Sequence, residues 1–481
     1  MSCDTDETPG VLIDLPVSEI LAKAGEEGKP DIHTITYRYP FTGLVKAAPR
    51  KALSALTLAG RQGDYAQQYW ASIMNEFPMD AAPRLRRVFL NRVARLPHAV
   101  IVGLAQTFAQ WLARNLAAIL EWDSNLAWKV YDHVVDALIA GGADATKSPR
   151  NEVYYRGTIA RWSRRTFEYA NVAPIGACTA ALFSSVPGGP DQCDSLVPAH
   201  IRSRATRLFA APGEGSDHAV AIACSQLNHL MHIDPAWTTE LLVPMLAFEH
   251  PSAEPAWSGF LHRRQMPSLP LAAIIKPLLL RLFPWIEGLA WQREFSATAA
   301  AWLGTLRIFH QDQSYGLSQS EMRGALRAMS DETRNHFIVK LGHLGHKQPD
   351  GWAKYVIPFI NEDWPRERRY RTNASTGAWI ALLGGSGTSF PNVYEAVKEF
   401  LVAVETTDQP FARFSRKIGQ DEALTTLFPD TALDLMHTSI PQVLMRVPYD
   451  LPKVLAMIAE AKPDLLSDPR YLRLIELVEQ C

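Results

Sequence analysis

Apolar residues recur at helical spacing along most of this chain, broken at short intervals by Pro, Gly and Asn/Asp/Ser clusters, while β-branched period-two alternation is hard to find anywhere. That pattern restricts the chain to an all-α architecture. Pro49 is placed to open a helix carrying Leu53, Leu56 and Leu58 that closes at Gly60 and Gly63. A second helix, with Tyr65, Tyr69, Trp70 and Ile73, ends at Phe77-Pro78. The same grammar predicts helices over 82–95, 99–120, 124–140, 151–170, 175–186 and 219–231. Asp234-Pro235 offers an N-cap followed by proline at the first helical position, and Ser318 with Glu321 fits a capping box. A stripe of Tyr471, Leu474, Ile475 and Val478 predicts a terminal helix.

Phe-Pro pairs at 77–78, 283–284, 390–391 and 428–429 punctuate the helices irregularly, without a strict repeat. The expected fold is therefore an irregular HEAT-like stack of antiparallel helix pairs. With 481 residues the chain exceeds a single core of about 250–300 residues. The expected division is a partly disordered segment over 1–30, with a short helix at 17–24, then helical lobes over 31–210, 211–350 and 351–481. The segments 141–148, 186–198, 211–216 and 384–389 read as inter-helix loops.

Charge is nearly balanced, 48 basic against 50 acidic side chains, so nothing chain-wide draws it to nucleic acid or anionic lipid. Local patches are the only electrostatic option; arginine outnumbers lysine 34 to 14, and in the lysine-free stretch between Lys147 and Lys276 a phosphate-binding patch would have to be built of arginine. Five scattered cysteines without a C-x-x-C pair fit a reducing compartment. The acidic start MSCDTDETPG lacks the basic-apolar pattern of a secretory signal, so a cytoplasmic location is expected. The most apolar stretch, Leu269–Ile286, carries Lys276, Arg281 and three prolines, which predicts a buried core helix and no membrane association.

The chemical motifs are weak. Gly384-Gly385-Ser386-Gly387-Thr388-Ser389 lacks the lysine of a P-loop and reads as an inter-helix turn using positive φ. His336, His343 and His346, with His310, have spacings that a zinc site would use, but Gly342 and Gly345 weaken the helix and no cysteine pair accompanies them. Glu362 and Asp363 read as solvated loop carboxylates. No nucleophile elbow or Cys/His signature is present, so no catalytic residue, metal or cofactor is expected and the protein is read as a non-enzyme.

Two basic-aromatic clusters remain as candidate partner-binding residues: Arg161, Trp162, Arg164 and Arg165, and Trp364, Arg366, Arg368, Arg369 and Arg371. Arginine forks and aromatic planes suit protein hot spots or single-stranded nucleic acid, although solvated helix faces with snorkelling arginines are commoner. The thirteen tryptophans are expected mostly to pack between helices, with any exposed subset marking a partner groove.

The runs Ile233-Asp234-Pro235-Ala236-Trp237, Leu241-Leu242-Val243-Pro244, Ala256-Trp257-Ser258-Gly259-Phe260-Leu261 and Ile275-Lys276-Pro277 carry a family resemblance. So do Asp363-Trp364-Pro365-Arg366, Ser375-Thr376-Gly377-Ala378-Trp379, Phe390-Pro391, Leu427-Phe428-Pro429 and the closing Pro452, Pro463, Asp468-Pro469-Arg470 and Leu472. Over roughly 30–480 the chain resembles the α-helical region that follows sirtuin-like domains in bacterial anti-phage defence proteins. The NAD-cleaving domain itself is not matched, since there is no Gly-Ala-Gly loop after a strand, no His-Gly and no Rossmann pattern. The resemblance implies a sensor or regulatory scaffold whose partner is a phage protein or a sirtuin-like effector subunit. Nucleic-acid binding through the arginine-aromatic clusters is the alternative.

Overall fold

The computed structural model describes residues 5–28, 37–151, 154–155, 158–159, 163–186, 196–289, 291–404, 410–416, 422–444 and 446–480. The chain is all-α, 72% helical. Among the described residues the strands are two short pairs, Thr5–Asp6 with Tyr37–Arg38 and Tyr154–Tyr155 with Thr158–Ile159.

Local start signals act as their chemistry dictates. Ser318 Oγ accepts the Glu321 N–H at 3.3 Å and Glu321 returns a carboxylate to the Ser318 N–H at 2.8 Å, closing the capping box of helix Gln319–Ala328. Asp234 caps Pro235–Trp237 through the Trp237 N–H at 3.0 Å, and also holds the Val197 N–H and the Arg202 guanidinium. That helix soon gives way to a π turn, Thr238–Leu242, and a 3-10 turn, Val243–Leu246. Pro244 has no N–H to donate to the carbonyl four residues earlier, which breaks the α-helical ladder there.

The chain divides into two compact units, Met1–Arg263 and Arg264–Cys481, in place of the three lobes expected with boundaries after 210 and 350. Packing explains the difference. Helix Gly215–Ser225 lies against both Pro174–Ser184 and Ala253–His262, which fastens residues 211–263 to the N-terminal helices. Gly259 makes that contact close, because a Cβ there would stand 2.0 Å from the Ala221 carbonyl. Likewise helix Asp331–Lys347 packs on Asn373–Leu383, so no boundary falls near 350.

Within the first unit, residues 5–28 are ordered, contrary to the frayed segment expected. Leu12 and Ile20 are fully buried, a helix covers Ile20–Glu27, and the segment lies so close to helix Pro40–Ala47 that a Cβ on Gly43 would meet the Glu7 carbonyl at 1.8 Å. Acidity misled here: Glu7 pairs with Lys46 at 2.5 Å. Among the described residues of the helix expected over 151–170, only Phe167–Ala170 are helical, and 154–155 and 158–159 are strands instead. The sequence Val153-Tyr154-Tyr155-Arg156-Gly157-Thr158-Ile159 is β-branched and aromatic around a glycine, which suits the short antiparallel strands.

In the second unit the Leu269–Ile286 helix runs unbroken through Pro277 and Pro284. It is the one described helix long and apolar enough to cross a membrane by length and composition, but only 39% of it is buried, so it is not the buried core helix expected. Both prolines lie on the exposed face, where water can satisfy the carbonyls they leave unpaired. Lys276, mid-helix, is tied to Glu321 at 3.0 Å. Gly387, with φ of 57°, supplies the left-handed turn expected in the glycine-rich segment, leading into helix Phe390–Val397.

Candidate functional site: an arginine groove without acids

Most of the described arginines in the two clusters singled out by sequence are engaged in ion pairs or ring contacts. Arg161 and Trp162 lie outside the described residues. Arg164 forks onto Glu214, with Nε 2.5 Å from one carboxylate oxygen and Nη2 3.0 Å from the other, donates to the Ser148 carbonyl at 2.9 Å and stacks over Tyr169. Arg165 forks onto Asp217, both bonds 2.8 Å, with Glu254 3.7 Å away. Burial pushes the Glu214 carboxyl up, but Arg164 and the Ser148 N–H outweigh it and leave its pKa below the usual value. These cations are neutralised and fasten a loop to two helices.

The second cluster fares similarly. Trp364 is 2% exposed, set edge-on against Trp379 at 4.8 Å, so it cannot be a contact residue for a partner. Arg366 and Arg371 approach Glu399, at 3.6 and 3.9 Å, and Arg369 covers Tyr370. Arg366 joins Arg323, Arg327 and Glu367 around a recess of about 410 Å³, in which Arg327 is paired with Glu367 at 2.7 Å. Arg368 is exposed, beside these pairs. Asp363 corrects the reading of a solvated carboxylate: it is 2% exposed and bonded to the buried Arg307 at 2.9 Å.

His336, His343 and His346 do share the continuous helix Asp331–Lys347, the glycines notwithstanding. Among the described residues no three His, Cys, Asp or Glu side chains converge on a common point, and His346 instead sets its ring edge-on to Trp352. No described tryptophan is exposed, so a tryptophan-lined partner surface is not what the fold offers.

What the fold offers lies elsewhere. Helices Pro49–Arg61 and Pro83–Val93 pack side by side in the first unit. The first buries Ala52, Leu53, Ala55 and Leu56 and the second buries Phe89, Leu90 and Val93, with Phe89 stacked on Phe77 at 4.0 Å and edge-on to Trp111 at 5.8 Å. That fixes which faces remain. Their sequences, PRKALSALTLAGR and PRLRRVFLNRV, hold Arg50, Lys51, Arg61, Arg84, Arg86, Arg87 and Arg92 and no acidic residue.

Between them runs a groove of about 710 Å³, within the range of ligand sites. Arg50, Arg61, Arg84 and Arg92 rim it, Ser54 and Thr57 add hydroxyls, and Leu53, Leu58, Leu85 and Val88 form an apolar floor. Val88 is 48% exposed. The other cations are occupied: Lys51 donates to the Ile13 carbonyl at 2.6 Å, Arg86 covers Trp122, and Arg87 reaches Asp123 at 3.3 Å. The four rim arginines have no carboxylate partner among the described residues.

Four like charges held beside one another without counter-charge repel, and that repulsion is relieved by an anionic ligand. None of these arginines has an adjacent aromatic, so no basic-aromatic run marks them in the sequence. The available signal was two helices free of any acid. No family model, no curated protein and no solved structure matches the chain.

Proposed function

We propose that the protein is a non-catalytic interaction module whose N-terminal unit binds an anionic partner in the groove between helices Pro49–Arg61 and Pro83–Val93. One observation carries this reading: four arginines converge on an open groove that contains no acid to neutralise them. The groove holds guanidinium, hydroxyl and aliphatic groups, and no histidine, cysteine or carboxylate to serve as base or nucleophile, which supports binding rather than turnover. A role as sensor or scaffold in anti-phage defence, with a phage protein or a sirtuin-like subunit as partner, rests on the sequence resemblance alone. The HEAT-like description belongs with it, as a reading of how the packed helix pairs stack.

The test is co-purification from infected and uninfected cells, comparing the wild-type chain with a variant carrying Arg50→Glu, Arg61→Glu, Arg84→Glu and Arg92→Glu. A partner retained by the wild type, released as salt rises above about 0.15 M where exposed charges are screened, and lost from the variant is the expected result. Equal retention by both proteins sinks the reading.

A further inference from the structure

The groove has two halves, and an occupant must account for both. Phosphate or carboxylate alone would engage the arginine rims and leave Leu58, Leu85 and the exposed Val88 facing water. A single-stranded nucleic acid would want stacking planes, and no aromatic side chain lines the groove. Arginine rims flanking an aliphatic floor are instead complementary to an amphipathic helix with one apolar stripe and acidic flanks. The rims have the matching length: Arg50 to Arg61 spans about 16 Å and Arg84 to Arg92 about 12 Å at 1.5 Å per residue, which is two to three helical turns.

Resting on the anion-binding reading above, we infer that the Pro49–Arg61/Pro83–Val93 groove is the docking site for an acidic amphipathic helix of about three turns, contributed by a protein partner. The stripe of that helix covers Leu58, Leu85 and Val88. Its carboxylates reach the rims on either side, where each guanidinium presents two parallel donors. Ser54 and Thr57 already donate to the Arg50 and Leu53 carbonyls at 2.8 and 2.7 Å, so the guanidiniums alone take the carboxylates. Binding therefore couples an electrostatic contribution, sensitive to salt, to an apolar one that is not.

The experiment titrates the full-length chain against three fluorescent probes in an anisotropy assay. One is a peptide of about 15 residues with Leu at i, i+3, i+4, i+7 and i+11 and Glu and Ala elsewhere. The second has the same composition in scrambled order. The third is a short oligonucleotide, tested single-stranded and as a duplex. The amphipathic peptide is expected to bind about tenfold more tightly than its scrambled form, a difference of one decade in Kd, and to gain helicity in circular dichroism on binding. Arg50→Glu with Arg84→Glu should weaken both peptides at least about tenfold. Val88→Gln, at a position 48% exposed, removes apolar surface without adding charge and should weaken the amphipathic peptide while leaving the scrambled one unchanged. Equal binding of the two peptides, or indifference to Val88→Gln, overturns the helix proposal while the anion-binding reading stands. Tighter binding of the oligonucleotide, abolished by the same arginine reversals, overturns it in favour of a nucleic-acid backbone. Binding of none of the probes overturns both readings together.

Discussion

The pair Arg164 and Arg165 and the quartet Arg50, Arg61, Arg84 and Arg92 belong to the same unit, and their side chains have opposite fates. The pair sits in a basic-aromatic run of sequence and is consumed: Glu214 and Asp217, about fifty residues further on, return both charges to zero through bidentate bonds. The quartet is spread over two helices in an unremarked stretch and keeps its charge, because neither helix brings an acid. A local density of arginine measures opportunity for ion pairing, whereas free charge is decided by what the fold carries to the spot from elsewhere. The first arrangement builds the unit, and the second leaves it with something to bind.

Breaking that contrast starts with the most buried pair, in the other unit. Asp363→Ala takes the closest carboxylate from the nearly buried Arg307, which keeps Glu362 at 3.3 Å, and should cost the second unit about 3 kcal/mol in urea unfolding. Glu214→Ala removes the acceptor of Arg164 and of the Ser148 N–H. Both partners are partly solvated, so about 2 kcal/mol from the first unit's transition is the expected loss. Arg50→Glu with Arg84→Glu should shift that same transition by no more than about 0.5 kcal/mol, since these side chains have no carboxylate partner among the described residues. A large loss of stability in this double variant would mean that the quartet is structural after all.

The smallest effect is one of pH. His218 is fully buried with Nε2 3.7 Å from Glu214, and burial holds its pKa below the ordinary 6.5 against the pull of Glu214 and Asp217. Below pH 6.5 the unfolded chain takes up a proton that the folded one refuses, so the first unit loses stability as pH falls through that window. Glu214 adds a second loss below its ordinary 4.5, where the unfolded carboxyl protonates before the folded one. Unfolding midpoints from pH 7 to pH 5 should therefore slope less in His218→Leu than in the wild type. An unchanged slope would remove His218 from the account.

What sequence made legible follows the range of the interactions concerned. The capping box of Ser318 and Glu321 and the Asp234-Pro235 start are completed within three residues, so their outcome is written locally. The strand pair near Tyr154 is written in β-branched and aromatic residues that also fit a helical spacing of apolar positions, so periodicity alone points to the wrong element there. Trp364 was misplaced because nothing beside it in sequence predicts Trp379 against its ring. The groove was half legible: the lack of acids in each helix can be read directly, and the adjacency of helices whose centres are some thirty residues apart cannot.

Cys178 and Cys224 are both buried and unpaired, and burial pushes each thiol up to about 12. At neutral pH neither sulfur is a nucleophile while the first unit is closed, so each modification event records an opening. With Cys3, Cys193 and Cys481 replaced, the rate of thiol labelling becomes a clock for that unit alone, running slower by the measure of whatever ligand holds it shut.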